Sequence, residues 1–376
     1  MSPARRVALF LSALTLLAVL PASSGAKTSF KVSGRSVVSE SAGLGRLEVA
    51  GDTAAVLQRD EGIVALLDVS DPSKPKVLGR YDDGAEDSFD GDLVFSKDGK
   101  WLIYARQTHQ FSKDGIHVID VSDPKSPQLA SYAPGGGAYR IEYFEQAGAE
   151  WVVLLDAITG MVVYRFESTT GQLVPVHVDA LPALKVGGPA SAGLYFEPKD
   201  KGTGAPLLYV TTGKTGLQVY DFTDPTSPNI AGRWRDEIGL AEVEVRTEGK
   251  TRTVYAATEY WFNKQLVPEV IEIDASNLSK MKEVRRISLG APADEASRIQ
   301  GMALVGSELL VAHSTLGLRS FDAKGKATGA WASPGPQHEA AGVQGRPYTF
   351  DVEVAGGQVY TSDASSGTLT ILRHLP

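Results

Sequence analysis

The stretch "VIDVSDPKSP" (118–127) occurs in two more versions, "LLDVSDPSKP" (66–75) and "VYDFTDPTSP" (219–228). Asp68 and Asp120 are 52 residues apart, and Asp120 to Asp221 is 101, two such periods. The skipped copy is "VVYRFESTTG" (162–171), which keeps the apolar strand and the turn but loses the Asp-Pro. "VIEIDASNLSKM" (270–281) sets Asp274 53 residues after Asp221, and "GLRSFDAKGK" (317–326) sets Asp322 another 48 on. "GTLTILRHLP" (367–376) closes the series with Arg373 in the equivalent place.

A second phrase lies upstream of the first. "RLEVAGDTAAVL" (46–57), "GMALVGSELLVA" (301–312) and "DVEVAGGQVYTS" (351–362) read as strand, tight glycine turn, strand, and "LVFSKDGKWLIYA" (93–105) is the same hairpin with a longer turn. Apolar residues alternate with polar or small ones, the period of half-buried strands, and no segment sustains a helical period. Each unit is therefore four short strands. Repeats of this length, none able to bury both faces alone, must stack around an axis, so the expected fold is all-β: a seven-bladed β-propeller of four-stranded antiparallel blades.

The repeated phrase then has an architectural reading. Pro72, Pro124 and Pro225 fix φ for a turn, and Asp71, Asp123 and Asp224 suit capping of that turn's amides. Pro75, Pro127 and Pro228 fall where an outer edge strand begins, which can spare an N–H. The earlier aspartates, Asp68, Asp120 and Asp221, are expected to bond within the turn or between blades. Blade seven, from Tyr348, has only three strands before the C-terminus, while "TSFKVSGRSVVS" (28–39) is an orphan strand. The N-terminal strand is expected to complete the last blade and latch the ring, which removes an open edge.

Residues 1–26 read as a signal peptide: Arg5 and Arg6, the apolar run "VALFLSALTLLAVL" (7–20), then small residues before Lys27. Residues 27–376 form the single expected domain, secreted or periplasmic, without membrane insertion after cleavage. Losing Arg5 and Arg6 takes the formal charge from −8 to −10, which argues against nucleic acid and anionic membranes as partners. With no cysteine, stability must come from burial rather than disulfides. A monomer is expected.

The segments "ALLDVSDPSKPKVLGRY" (65–81), "HVIDVSDPKSPQLASY" (117–132) and "QVYDFTDPTSPNIAGRW" (218–234) resemble the LVIVD repeat family, extracellular and cell-surface propellers of bacteria and archaea. The resemblance implies the fold and an extracellular location. It names no ligand, because the family is defined by its repeat.

Candidate chemistry falls in connections. "DDGAEDSFDGD" (82–92) clusters hard oxygen ligands between blades one and two, making Asp87, Asp90 and Asp92 candidate ligands for calcium, the one cofactor the sequence suggests. The insertion "TEYWFNKQLVP" (258–268) offers Tyr260 and Trp261 for a carbohydrate or peptide face. His109, His313 and His338 lie in expected mouth loops of different blades, and Arg235 ends a blade connection with its cation available. No HExxH, nucleophile elbow or phosphate-binding glycine loop is visible. The expected function is an exported binding scaffold for an extracellular or periplasmic protein or carbohydrate. The alternative is a metal-dependent hydrolase or lyase with a divalent ion over the central channel.

Overall fold

In the computed structural model, which describes residues 28–40, 43–82, 84, 88–108, 114–180, 192–198, 204–213, 216–235, 239–258, 267–291, 297–333 and 347–375, the fifty-residue repeat becomes seven four-stranded antiparallel sheets. The blades run Leu44–Tyr81, Ser88–Pro134, Ala138–Asp179, Ala192–Trp234, Leu240–Ser288, Ile299–Trp331 and Thr349–Leu375. Within each the chain moves from the inner strand outward. The signal segment, residues 1–26, lies outside the described residues.

The seventh sheet has the order expected of a latch. Its outermost strand is Ser29–Val37, paired antiparallel with Thr368–Leu375 from Ser29 opposite Leu375 to Val37 opposite Thr368. Neighbouring blades hold the same strand. Thr28 N donates to Thr328 O in blade six at 3.1 Å. Thr28 Oγ1 donates to Glu308 Oε1 at 2.8 Å, and Glu308 Oε2 lies 2.5 Å from His374 Nε2. The ring is thus closed by pairing its two ends, which satisfies backbone groups that an open array would leave bare.

The core lies between blades. One cluster joins Leu47 and Val49 of blade one to Tyr360, Leu369 and Ile371 of blade seven; another joins Leu57 and Leu66 of blade one to Leu93, Phe95 and Leu102 of blade two. Burial at such seams drives the stacking, since a lone sheet leaves both faces wet.

The turn residues behave as their chemistry requires. Asp68, Asp120 and Asp221 accept from the amides two residues on, Ser70, Ser122 and Thr223, at 2.8–3.0 Å. Asp71, Asp123 and Asp224 do the same for Ser73, Lys125 and Thr226 at 2.9–3.1 Å.

The phrase also has a receptor. A Cβ added to Gly79 in the outer strand of blade one would overlap Pro124 O and stand 2.9 Å from Lys125 C, both in the Asp-Pro turn of blade two. Gly232 meets Leu278 in the corresponding turn of blade five, and Gly34 in the latch strand meets Pro72 O and Pro75 Cδ in blade one. Ser131 fills the equivalent notch of blade two and donates to Gly171 O. The turns of blades one, two, three and five therefore each seat in a small-residue notch of the preceding blade, while the turn of blade six is held by Arg285 of blade five, which donates to Ala323 O and Lys324 O; together they form an outer belt. We expect Gly79→Val and Gly232→Val each to lose about 3 kcal/mol, because rigid backbone cannot yield to the added atoms. Chemical denaturation checks this; parental midpoints for both would contradict the belt.

Bulges recur with the repeat. All seven blades shift register between third and outer strands, as at Leu66/Leu67, Val118/Ile119 and Ser320/Phe321. Six shift again between the first two strands, at Leu44/Leu47, Ser88/Asp90, Ala138/Arg140, Leu240/Val243, Ile299/Gly301 and Thr349/Asp351. A bulge bends the strand and redirects the next side chain. Here it does so where each inner strand meets the channel.

Candidate functional site

Four inner strands carry one pattern: "RLEV" (46–49), "RIEY" (140–143), "EVEV" (242–245) and "DVEV" (351–354). The central apolar residue, such as Leu47 or Ile141, packs into an inter-blade core. The flanking charged residues stand on the opposite strand face and line a cavity of about 440 Å³ on the propeller axis. They form two tiers. The first holds Arg46, Asp92, Arg140, Glu242 and Asp351; the second holds Glu48, Glu142, Glu244 and Glu353, with Tyr195 among them. Glycines complete the first tier's positions: a side chain on Gly301 would overlap Asp351 Oδ1, and one on Gly193 would stand 2.6 Å from Ala241 O.

The first tier is cross-braced. Arg46 and Arg140, from blades one and three, both donate to Glu242 Oε1 from blade five, the second at 2.7 Å. Arg46 also lies 3.3 Å from Asp351 Oδ1 and 5.8 Å from the centre of the Phe350 ring. The two aspartates stitch neighbouring blades. Asp351 Oδ2 accepts from Leu47 N and Asp92 Oδ2 from Ile141 N, each at 3.1 Å. A carboxylate that accepts a neighbour's amide ties blade to blade without closing the channel.

The electrostatics separate the tiers. Burial pushes Glu242 up, but Arg140 and Arg46 outweigh it and hold this carboxyl below its usual range. Burial lifts Asp351 to about 6, opposed by Arg46, and raises Asp92, opposed by Arg140 and Arg46. Among the described residues the second tier has no cation. Burial, then Glu242 and Asp351, lift Glu244 to about 8. Glu48, Glu142 and Glu353 are all raised well above the ordinary carboxylate value, by burial first and then by neighbouring acids.

These shifts set a pH profile. The raised groups keep protons in the folded chain that the unfolded chain releases above about pH 4.5. Their contribution is full below that value and is lost as pH rises through the folded values, to about 8 for Glu244. Glu242 has the opposite sign, and its contribution disappears as pH falls. Thermal stability is therefore expected to peak near pH 5 and to fall by pH 8, with Glu244→Gln flattening the alkaline limb. A melting temperature at pH 8 equal to that at pH 5 would remove the account.

The sequence-derived candidates are dispersed. Tyr260, Trp261, His109, His338 and Asp87 lie outside the described residues. Asp90 lies within the strand Ser88–Phe95, its side chain outside the described residues. Asp92 corrects the loop reading: it is on that same inner strand, aimed into the channel and bonded to Leu93 N and Ile141 N. His313 is corrected as well. It ends the strand Glu308–His313 fully buried, where Nδ1 faces Thr315 N and Leu316 N at 3.2 Å and Nε2 lies 3.3 Å from Ser297 Oγ. Burial, then the Arg319 charge, hold its imidazole down to about 3, so it is a neutral core residue. Arg235 is exposed at the start of the connection between blades four and five. Among the described residues, no three His, Asp or Glu side chains gather so as to hold a metal ion.

Apart from Asp92, the channel residues are not among the sequence-derived candidates, although the repeated charged–apolar–Glu pattern announces them.

The LVIVD repeat model matches residues 46–83, 111–132 and 207–236, so the chain carries LVIVD repeats in three stretches. No curated protein matches the chain. Among solved structures, the β-propeller domain of Myceliophteria thermophila Cps50 (Swd1) is similar at a TM-score of 0.62 and 12% identity, covering 92% of this chain and 99% of that one. Saccharomyces cerevisiae Sqt1 is similar at 0.60 and 11%, covering 91% and 98%. Chaetomium thermophilum Raptor is similar at 0.59 and 12%, over 92% of this chain and 30% of its own. At such identities the likeness concerns the fold alone.

Proposed function

We propose that this LVIVD-repeat β-propeller is an exported binding scaffold that takes an extracellular or periplasmic protein or carbohydrate at one mouth of its channel. The asymmetry of its connections carries the reading. The chain enters every inner strand from one mouth, and there it also makes the links between second and third strands. The strand ends that flank the stretches 82–87, 109–114, 180–191, 259–268, 289–298 and 332–348 lie at that mouth. At the opposite mouth five of the seven inner hairpins turn in two residues, at 51–52, 147–148, 249–250, 306–307 and 356–357, and the other two span 96–100 and 198–206. Long connections on a rigid ring are where a propeller has sequence to spend on recognition. Thr258 and Glu269, the strand ends between which the sequence holds Tyr260 and Trp261, lie at that mouth, which is nearer the ion-paired first tier. Export rests on the charged, apolar and small-residue succession of residues 1–26.

The chain has no cysteine, which makes the test direct. A single cysteine replaces Arg235 at the proposed mouth or Lys250 at the hairpin mouth, both exposed, and carries a bulky polyethylene glycol maleimide. Each conjugate is applied to oligosaccharide and peptide arrays. Probes bound by the parent, lost with the label at Arg235 and kept with it at Lys250, support the reading. Probes blocked only from Lys250, or no bound probe at all, defeat it.

A further inference from the structure

Charge is unevenly shared around the outer wall of the ring. Residues 120–134, 167–179 and 221–234, the outer turns and strands of blades two, three and four, hold two Lys or Arg against six Asp or Glu. The corresponding residues of the next three blades are 274–288, 322–331 and, in blade seven, Arg373 with the latch strand 29–37; they hold nine Lys or Arg against three Asp or Glu. A chain of formal charge −8 therefore carries one cationic arc, over three consecutive blades of its seven. A partner meets that local field and not the net charge.

The arc is continuous. Lys280 and Lys282 lead into the outer strand of blade five, whose Arg285 donates to Ala323 O and Lys324 O in the turn of blade six. Lys326 ends that turn, and Thr328, two residues on, accepts from Thr28 N at the head of the latch strand. The arc's three acids are engaged. Glu283 holds Arg286 through both oxygens at 2.8–3.0 Å. Asp322 caps the amides of Lys324 and Lys326 at 2.9 Å. Asp274 caps Ser276 N at 3.0 Å, with Lys282 Nζ 3.6 Å from its other oxygen. Among the described residues, Lys31, Arg35, Lys280, Lys324, Lys326 and Arg373 are exposed with no carboxylate at ion-pair distance. Lys31 and Arg373 moreover stand directly opposite each other in the register of the latch. Like charges so placed are unfavourable, and these lie in the seam that closes the ring. An anion lying over both relieves them.

The shape of the wall selects among polyanions. Three blades of seven bend through somewhat less than half the circumference, so a flat bilayer meets one blade edge and leaves the remaining cations in water. Single-stranded nucleic acid uses aromatic platforms among the cations; the exposed aromatic side chain among the described residues is Tyr132, on blade two. A folded acidic protein needs a desolvated central anchor, which a convex row of separate lysines does not offer. A flexible chain of sugar carboxylates follows the curve from one cation to the next.

We propose that the outer wall of blades five, six and seven binds an acidic polysaccharide. Its carboxylates lie along Lys280, Lys282, Lys324 and Lys326 and across the Lys31–Arg373 pair. The wall is the side of the ring, apart from both mouths, so this site goes beyond the mouth reading and stands or falls without it. A chain held by its side keeps its mouth free for a second partner.

The test measures binding of residues 27–376 to immobilised polygalacturonate in about 50 mM sodium chloride, where screening is weak. Neutral dextran, polyaspartate, single-stranded DNA and phosphatidylglycerol vesicles are run beside it. Binding to the polyuronate is expected and should fall steeply by about 200 mM salt. Lys280→Gln/Lys282→Gln/Lys324→Gln/Lys326→Gln is expected to weaken it by about tenfold or more. Lys97→Gln/Lys125→Gln/Arg165→Gln/Arg233→Gln removes the same charge from blades two to four and is expected to leave it within about twofold. All eight side chains are exposed, and melting temperatures verify that both variants fold. Lys31→Gln/Arg373→Gln is expected to weaken binding as well and, without the polymer, to raise the melting temperature by removing the opposed charges. No binding to the polyuronate, or equal binding to dextran, overturns the proposal. So does equal loss in the two quadruple variants, binding unchanged in either wall variant, or tighter binding of polyaspartate, DNA or vesicles than of the polyuronate.

Discussion

A chain that begins at residue 41 loses the cooperative unfolding transition of the parent, exposes apolar surface to dye and is cut rapidly by protease. The expected effect is this large because the missing strand serves three blades together. Ser29–Val37 supplies the fourth strand of blade seven. Thr28 reaches Thr328 and Glu308 in blade six, and Gly34 receives the Pro72 turn of blade one. Without it, blade seven ends on Thr368–Leu375 with an unpaired edge, and the first and last blades are left with their inner contacts alone: Leu47 N to Asp351 Oδ2, Arg46 to Asp351, Ser362 Oγ to Gly45 O and the core they share. Domain stability is commonly about 5–15 kcal/mol, and a ring whose cores lie between blades cannot lose one seam locally. A synthetic peptide of residues 28–39 added in trans is expected to restore the transition in part, since the latch is held by pairing rather than by chain connectivity. A truncated chain melting within a few degrees of the parent would show that the ring closes by other means.

The architecture was legible because the repeat unit carries its punctuation at the surface. Asp-Pro and the second proline mark the turn in three blades, and their spacing gives the period from which the other blades are counted. Closure was legible from a shortage: three strands at the C-terminus and one spare at the N-terminus. The notch at Gly79 and Gly232 was not. Glycine in a strand marks a bulge or a close backbone approach, but the sequence does not say which backbone approaches. The partner turn is in the next blade, about 45 residues further on.

The channel was hidden for a related reason. Alternation in "RLEV" or "DVEV" is the ordinary signature of a strand with one wet face, and a wet face is normally the outside of the molecule. Closing seven sheets turns that face inward. Arg46 meets Glu242 across 196 residues and Asp351 across 305, separations at which no local pattern predicts contact. The acidic loop misled in the opposite direction: clustering suggested a shared role for Asp87, Asp90 and Asp92, whereas Asp92 belongs to a strand and serves the channel. His313 misled because a polar residue after "LLVA" resembles the start of a loop, when it ends the strand and its ring nitrogens face the amides of the turn that follows.

Replacing Arg46 by methionine isolates the brace itself. The guanidinium is almost wholly buried, at 7% side-chain exposure, against Glu242 at 13% and Asp351 at 10%. Methionine keeps much of the stem that packs in the channel and removes only the charge and its donors. Glu242 retains Arg140, but Asp351 keeps only the amides of Leu47 and Val352. Breaking one side of a buried pair commonly loses about 3–5 kcal/mol, because the surviving charge is left uncompensated. The loss is expected toward the lower end here, since a channel carboxylate can take up a proton instead. That escape gives the prediction its sharpest form. Arg46→Met is expected to be severely destabilised at pH 8 and much less so at pH 5, and adding Asp351→Asn should recover part of the loss by removing the carboxylate left without its cation. Denaturant melts of the single variants, the double variant and the parent at both pH values give the coupling. If Arg46→Met loses the same amount at either pH, or if the two substitutions are simply additive, the axial brace is packing and not charge.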